Sequence, residues 1–266
     1  MQSQISASSA AVTTNEGNME RGRADQPRHA YRLPPHVFVC QTQDCVVFLD
    51  ARRDRYVGVG GADADALRTM LAARSSPQDA AAGAVSEVLP QVAKTLDCLV
   101  ANGLLTLEPT ISREFRQVDL QPGSMAVGPG GEYEHAPRFT HIVVALMACI
   151  DAWLDLRFRG VGGTVARLIA EKQKNGRPSS NASSDELRRL VGIFRVIRPF
   201  LYAKKDKCLF HGLALYKFLR HYGLSPTWVI GVNISPFGAH CWLQYGECVL
   251  DDSPKQTLEF TPLAAI

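Results

Sequence analysis

The chain has 266 residues, 46% of them hydrophobic and 21% charged, with 29 Lys and Arg against 26 Asp and Glu for a net charge of +3. That length holds one large domain or two small ones without disulfide support. So slight a positive surplus, with no cluster of Lys and Arg, excludes the electrostatic footprint of a nucleic-acid binder. The longest unbroken apolar run, 142–150, is about half of what a bilayer crossing requires, and Asp151 ends it, so no membrane span is expected. The opening residues have neither the basic nor the apolar region of a secretory signal, which points to a cytoplasmic protein. Seven scattered cysteines read as thiols of a reducing compartment. No two have the spacing of a zinc knuckle, and His240 and Cys241, adjacent on a strand, point to opposite faces, so no metal is expected.

Residues 1–33 are polar, with almost no large apolar side chain to offset the entropy of ordering, and read as a disordered tail in which Met19 serves as well as Met1 for a start. From His36 the texture changes to three short β-branched and aromatic runs, HVFVC, CVVFLD and RYVGV, separated by polar segments at 41–44 and 51–54. This predicts a small antiparallel meander. Helical spacing follows in Ala66, Leu67, Met70 and Leu71, and again from Val88 through Val92, Leu96, Leu99 and Val100, with Asn102-Gly103 as a stop. A first module thus covers 34–108, and the Pro- and Gly-rich stretch 109–138 reads as a linker. The second module, 139–266, opens with a helix in which Ile142, Val143, Leu146, Ile150, Trp153 and Leu154 recur; apolar on both sides at first, it is expected to be well buried. A loop at 175–184 precedes a helix over 185–201 that stops near Pro199.

The segment from Lys207 to Pro254 carries the chemistry. Leu209, Leu213, Tyr216 and Leu219 share a helical face, closed by Gly223 and Pro226, so Cys208 sits at a helix N-terminus, where unpaired N–H groups and the helix dipole favour a thiolate. TWVIGV and AHCWLQY then read as strands, turned around 235–238, with CVL after Gly246. On an antiparallel pair the partners of His240 follow from parity. A three-residue loop at 245–247 pairs Gln244 with Cys248 and therefore His240 with Asp252. A two-residue turn sets Asp252 opposite Cys241, on the wrong face unless a bulge restores the register. On that loop Asp252 is preferred to Asp251. A Cys at a helix start, a His on the next strand and an Asp beyond it are the parts that acyl transfer requires: a nucleophile, a base and the group that fixes the imidazole. Trp242, on the same face as His240, is either placed to keep water from it or a core tryptophan.

These runs, CLFHGLALYKFLRHYG, TWVIGV, PFGAHCWLQ and VLDDSP, together resemble the leader-processing cysteine peptidases of lasso-peptide biosynthesis, the B proteins. The resemblance implies an α+β chain. Its N-terminal module is similar to the PqqD chaperone, a winged helix-turn-helix that recognises the precursor, and a transglutaminase-like (papain-like) peptidase domain follows with Cys208, His240 and Asp252 as triad. His211 stands where many family members carry Arg. The family implies removal of the leader from a ribosomally made precursor, and transfer of the core to an asparagine-synthetase-like macrolactam synthetase, which uses ATP. The peptidase needs no cofactor of its own. The leader is expected to add as a strand near Tyr56 and Val57, beside a groove of Val92, Leu96 and Leu99. Arg52, Arg53 and Arg55 read as a solvated turn that is able to meet acidic leader residues. Two rivals use the same residues differently. One is an acyltransferase of the transglutaminase or arylamine acetyltransferase type. The other is a non-catalytic escort that delivers the precursor with Cys208 merely buried.

Overall fold

The computed structural model describes residues 31–75, 92–108, 118, 120–127, 136–175, 184–202 and 208–266. The tail to residue 30, the predicted helix start at Val88, most of 109–138 and most of the 175–184 loop lie outside the described residues. The last residues read as tail belong to the fold: Arg32 exchanges backbone hydrogen bonds with Thr106, and Leu33 is buried.

The three predicted runs form β1 (Val37–Gln41), β2 (Cys45–Asp50) and β3 (Arg55–Gly60), an antiparallel sheet in the order β1-β2-β3. All six residues of β2 are buried, as in a strand covered on both faces. On one face Val37, Val39, Val46 and Phe48 pack with α1 (Gly61–Ser75) and α2 (92–101) through Leu67, Met70, Val92, Leu96 and Leu99. Gly103, at φ 71°, ends α2, and the Leu104 N–H returns to the Leu99 carbonyl. Buried Asp50 holds the β2–β3 turn: it accepts the backbone N–H groups of Arg52 and Arg53 and the Arg53 guanidinium at 3.0 Å. Of the three turn arginines, Arg53 is therefore a structural clamp, which also donates to the Asn102 carbonyl at the end of α2.

The second half contains α3 (Phe139–Leu154), a π-helical turn (Asp155–Arg159), α4 (Gly160–Asn175), α5 (Ser184–Leu201) and α6 (Cys208–His221). It ends in β5 (Thr227–Ile234), β6 (Phe237–Tyr245), β7 (Cys248–Leu250), the short α7 (Pro254–Thr257) and β8 (Thr261–Ala265). Together with β4 (Met125–Val127) these strands form a five-stranded sheet in the order β4-β7-β6-β5-β8, so His240 lies on the central strand. Trp228, Ile230, Cys241 and Leu243 on one face of this sheet share a core with Leu213, Tyr216 and Phe218 of α6; Val229, Trp242 and Val249 on the other pack with Leu120 and Phe260. α5 continues two residues beyond Pro199, whose missing N–H falls in the last turn.

The two predicted modules share one core, and the stretch between them contributes a strand. β4 lies inside the stretch read as linker and pairs in parallel with β7. The second face of the small sheet, with Phe38, Cys40, Val47 and Leu49, is too apolar to leave in water and joins the same core as α6 and the large sheet. α4 comes so close to the β2–β3 turn that a Cβ on Gly162 would stand 2.5 Å from the Ala51 carbonyl oxygen. α3 also departs from expectation. Its inward side is the small-residue stripe Ala145, Ala148, Cys149 and Ala152, and the large side chains Leu146, Met147, Ile150 and Trp153 are exposed. Small residues permit the close approach to α6 and leave the bulky ones outside. By length and composition alone the run Phe139–Lys172 would cross a membrane, a property the short stretch 142–150 does not indicate. Here its inner side is packed within the protein, and Asp155, fully buried, is held by Lys217 at 2.6 Å and Arg167 at 2.7 Å.

Candidate active site

α6 brings Cys208 to the site on its first turn, whose N–H groups have no acceptor within the helix. His240 comes from β6, opposite Gly231 of β5. The β6–β7 register pairs Tyr245 with Cys248 and Leu243 with Leu250, across a two-residue turn at Gly246-Glu247. The three-residue loop is thus overturned: Gly246, at φ 58°, makes the tighter turn possible. A continued β7 would set Asp252 against Cys241. Instead the strand ends at Leu250, Asp251 takes a left-handed φ of 51°, and the redirected chain brings Asp252 Oδ2 to 2.6 Å from His240 Nε2. Asp252 reaches the imidazole as expected, through one positive-φ residue rather than through the loop. The imidazole is also hydrogen-bonded to the Cys208 side chain.

The electrostatics follow from these contacts. A hydrogen bond from the Cys241 thiol, together with one from the imidazole and one from the Cys241 backbone N–H, brings the Cys208 thiol down to about 4 against the opposing effect of burial. That N–H lies where β7 has ended and offers β6 no partner strand. Burial works against a charged His240, yet the bonds to Asp252 and Cys208 prevail and raise it to about 9. Between those values the pair is thiolate and imidazolium. The Cys241 thiol keeps its proton because its bond to Cys208 and its burial both raise it. Sequence reasoning missed Cys241 as a contributor; its only signal was its place beside His240.

Aromatic rings enclose the imidazole: Trp242 stacks on it with centroids 6.2 Å apart and planes at 19°, and Phe260 lies at 5.2 Å. Trp242 is buried in a small core with Val229 and Val249, and its ring lies over Gly231, where a Cβ would stand 2.7 Å from it. The small sheet also reaches the site. Tyr56 of edge strand β3 meets Phe237 of β6 edge to face at 5.6 Å. Burial first, then the proximity of Cys241, Asp54 and Cys208, pushes its phenol upward. Val57 lies beside it on β3, half-buried on the opposite face. Val92, Leu96 and Leu99 do not line a groove. They are 0%, 0% and 3% exposed in the core between the small sheet and its helices, because that face of β2 has no other cover.

Asp251 is a second residue that the sequence does not reveal. It is buried, with Arg195 Nε at 2.7 Å, Arg198 at 3.5 Å and His211 Nε2 at 2.7 Å, and the other His211 nitrogen meets the Tyr202 hydroxyl at 2.7 Å. His211 lies one turn beyond Cys208, so Asp251 ties the helix of the thiol to the strand end that carries Asp252. His211, read as a departure in the helix contacts, is one of these ties. Among the described residues no group of three or more His, Cys, Asp and Glu side chains is arranged to hold a metal. The site offers a half-buried thiol whose pKa is lowered toward the thiolate, an imidazole raised toward the imidazolium and able to protonate a leaving group, and a carboxylate that orients it, the equipment of acyl transfer. No curated protein and no solved structure matches the chain. Residues 152–265 match the family model described as the Transglutaminase-like superfamily, so the chain carries a transglutaminase-like domain, which fits a cysteine peptidase or an acyltransferase.

Proposed function

We propose that this chain is a cysteine peptidase that removes the leader of a lasso-peptide precursor, with Cys208, His240 and Asp252 as its triad. The observation that carries the chemistry is the single connected array of thiol, imidazole and carboxylate, in which His240 is hydrogen-bonded both to Asp252 and to Cys208. The Cys208 thiolate attacks the carbonyl of the last leader residue; His240 gives its proton to the departing amine of the core, and a leader thioester remains. The now neutral imidazole takes a proton from water, whose oxygen attacks the thioester, and the leader leaves with a free carboxylate. In this reading the first module is a PqqD-like recognition element, and Tyr56 and Val57 on the exposed edge of β3 guide the leader as an added strand. The nearness of Tyr56 to the sulfur supports delivery of the scissile bond directly from that edge. The reaction uses no cofactor of this chain. It takes place in the cytoplasm, and the core passes to a macrolactam synthetase that consumes ATP.

A second reading, acyl transfer to an amine acceptor, draws on the superfamily match, since that chemistry needs the same three residues. Incubation of the precursor with the purified chain, the synthetase and ATP, followed by mass spectrometry, separates the readings. Free leader carboxylate and core, absent with Cys208→Ala, support peptidase action; leader joined to an added amine identifies the acyltransferase. Intact precursor with both proteins, bound with equal affinity, identifies an escort.

A further inference from the structure

Nine large hydrophobic side chains between residues 139 and 158 are exposed: the succession Phe139, Ile142, Val143, Leu146, Met147, Ile150, Trp153 and Leu154 along α3, and Phe158 in the π turn. Phe139 is 77% exposed, Met147 60% and Phe158 72%. With about 200 Å² for a fully exposed large side chain, their exposed fractions amount to on the order of 1,000 Å². The largest apolar patch of a monomer is about 300–600 Å², and a stable interface takes about 800 Å² from each partner. The stripe is therefore large enough to be one half of an interface, and it lies apart from Cys208, His240 and Asp252.

We propose that it docks a second copy of this chain, helix against antiparallel helix about a two-fold axis between Leu146 and Met147. The pattern is self-complementary. In an antiparallel pair centred there, residues whose numbers add to 293 face each other: Leu146 meets the partner subunit's Met147, Val143 the partner subunit's Ile150, and Phe139 the partner subunit's Leu154. These three pairs are apolar, and the same register sets Ile142 against the partner subunit's Asp151 and Trp153 against the partner subunit's Thr140. Asp151, the one acidic residue at the margin, is engaged by Lys217 of its own chain. Trp153 and Phe158, in edge-to-face contact at 6.2 Å, close the far end of the stripe. A lipid surface is less well matched. Between Phe139 and Leu154 no exposed basic side chain interrupts the stripe; Arg138 precedes it, and at the far end Arg159 pairs with Asp155 and Arg157 lies over the Phe158 ring at 5.8 Å.

Sedimentation velocity on the full chain over a wide range of concentration tests this. A dimer is expected. Leu146→Lys, at a position 47% exposed, sets a cation against apolar surface at the axis and raises the dimer dissociation constant by about 100-fold or more. Leu146→Glu combined with Met147→Lys places each new charge opposite its counterpart in the other copy and restores dimerisation, which a loosely nonspecific contact would not do. A wild-type chain that stays monomeric, or a Leu146→Lys variant that stays dimeric, overturns the proposal; failure of the double variant overturns the antiparallel register. A monomer that co-sediments with anionic phospholipid vesicles overturns it in favour of a membrane surface.

Discussion

The reactivity of Cys208 toward iodoacetamide as a function of pH follows directly from the site. With the thiol at about 4 and the imidazole at about 9, wild-type labelling is predicted to rise near pH 4, hold a plateau, and change again near pH 9 as the imidazolium is lost. Replacement of His240 by Ala removes a bond to the sulfur and the adjacent cation. If the thiol returns to its ordinary value of 9.0, the thiolate fraction at pH 5 falls from nearly all to about one part in ten thousand. A low-pKa thiolate is intrinsically the weaker nucleophile, by about 100- to 300-fold for five pK units. Because the Cys241 thiol and N–H still hold the sulfur in this variant, the net loss of labelling rate at pH 5 is at most about fiftyfold. Cys40 and Cys149, pushed up by burial to about 12 and about 11, stay silent at low pH. Cys208→Ala supplies the background from the remaining thiols. A wild-type profile with one rise near pH 9, or an unchanged profile in His240→Ala, would refute the ion-pair account.

Other substitutions probe the supports of the site. Asp252→Asn removes the hydrogen bond that raises His240, so the upper limb of the labelling profile should move below pH 9 and turnover should fall by more than tenfold; an unmoved limb means that Asp252 does not set the imidazole. Asp251→Ala leaves Arg195, Arg198 and His211 without their shared carboxylate and should cost about 3 kcal/mol in urea denaturation; a loss within experimental error would show that the clamp is dispensable. Gly231→Ala forces Trp242 away from His240 and should lower activity more than stability, with an overpacking cost of about 1–3 kcal/mol. Asp155 and Asp50 are both held below the usual carboxylate range, against their burial, by Lys217 and Arg167 in one case and by Arg53 in the other. Groups with a lowered folded pKa stabilise above the unfolded value and lose that contribution as pH falls through the folded one. Acid unfolding should therefore begin below about pH 4 and shift upward in Lys217→Met; an identical acid midpoint would count against the network.

Much of the site was readable because its signals are local. Cys208 is marked as a helix start by the periodicity behind it, and His240 as a strand residue by its flanking alternation. Parity favoured Asp252 only through a three-residue loop that does not form; with the actual turn it sets Asp252 against Cys241, and the left-handed residue at Asp251 that brings it to the imidazole is invisible to a pattern of apolar and polar positions. Asp251 itself draws partners from α5 and α6, contacts that only the folded chain creates. β4 is three residues long and β8 begins with Thr-Pro, so neither carries the β-branched run that marked β1, β2 and β5. The unbroken CVVFLD run did hint that β2 is covered on both sides; the missing information was that its second cover is the transglutaminase-like domain. For α3 the sequence showed apolar residues all round, and only packing decides that the alanines turn inward. Val92, Leu96 and Leu99 illustrate the same ambiguity, because helical periodicity marks a face without saying whether a core or a ligand meets it.

Intact-protein mass spectrometry of the chain during reaction with its precursor, quenched in acid, tests the central claim most directly. The account predicts a transient adduct equal to the leader minus one water, carried as a thioester on Cys208, with core peptide released as a free amine. Cys208→Ala should form neither adduct nor product. Cleavage that persists in Cys208→Ala, or an adduct carried on another residue, would contradict the assignment of Cys208 as the nucleophile.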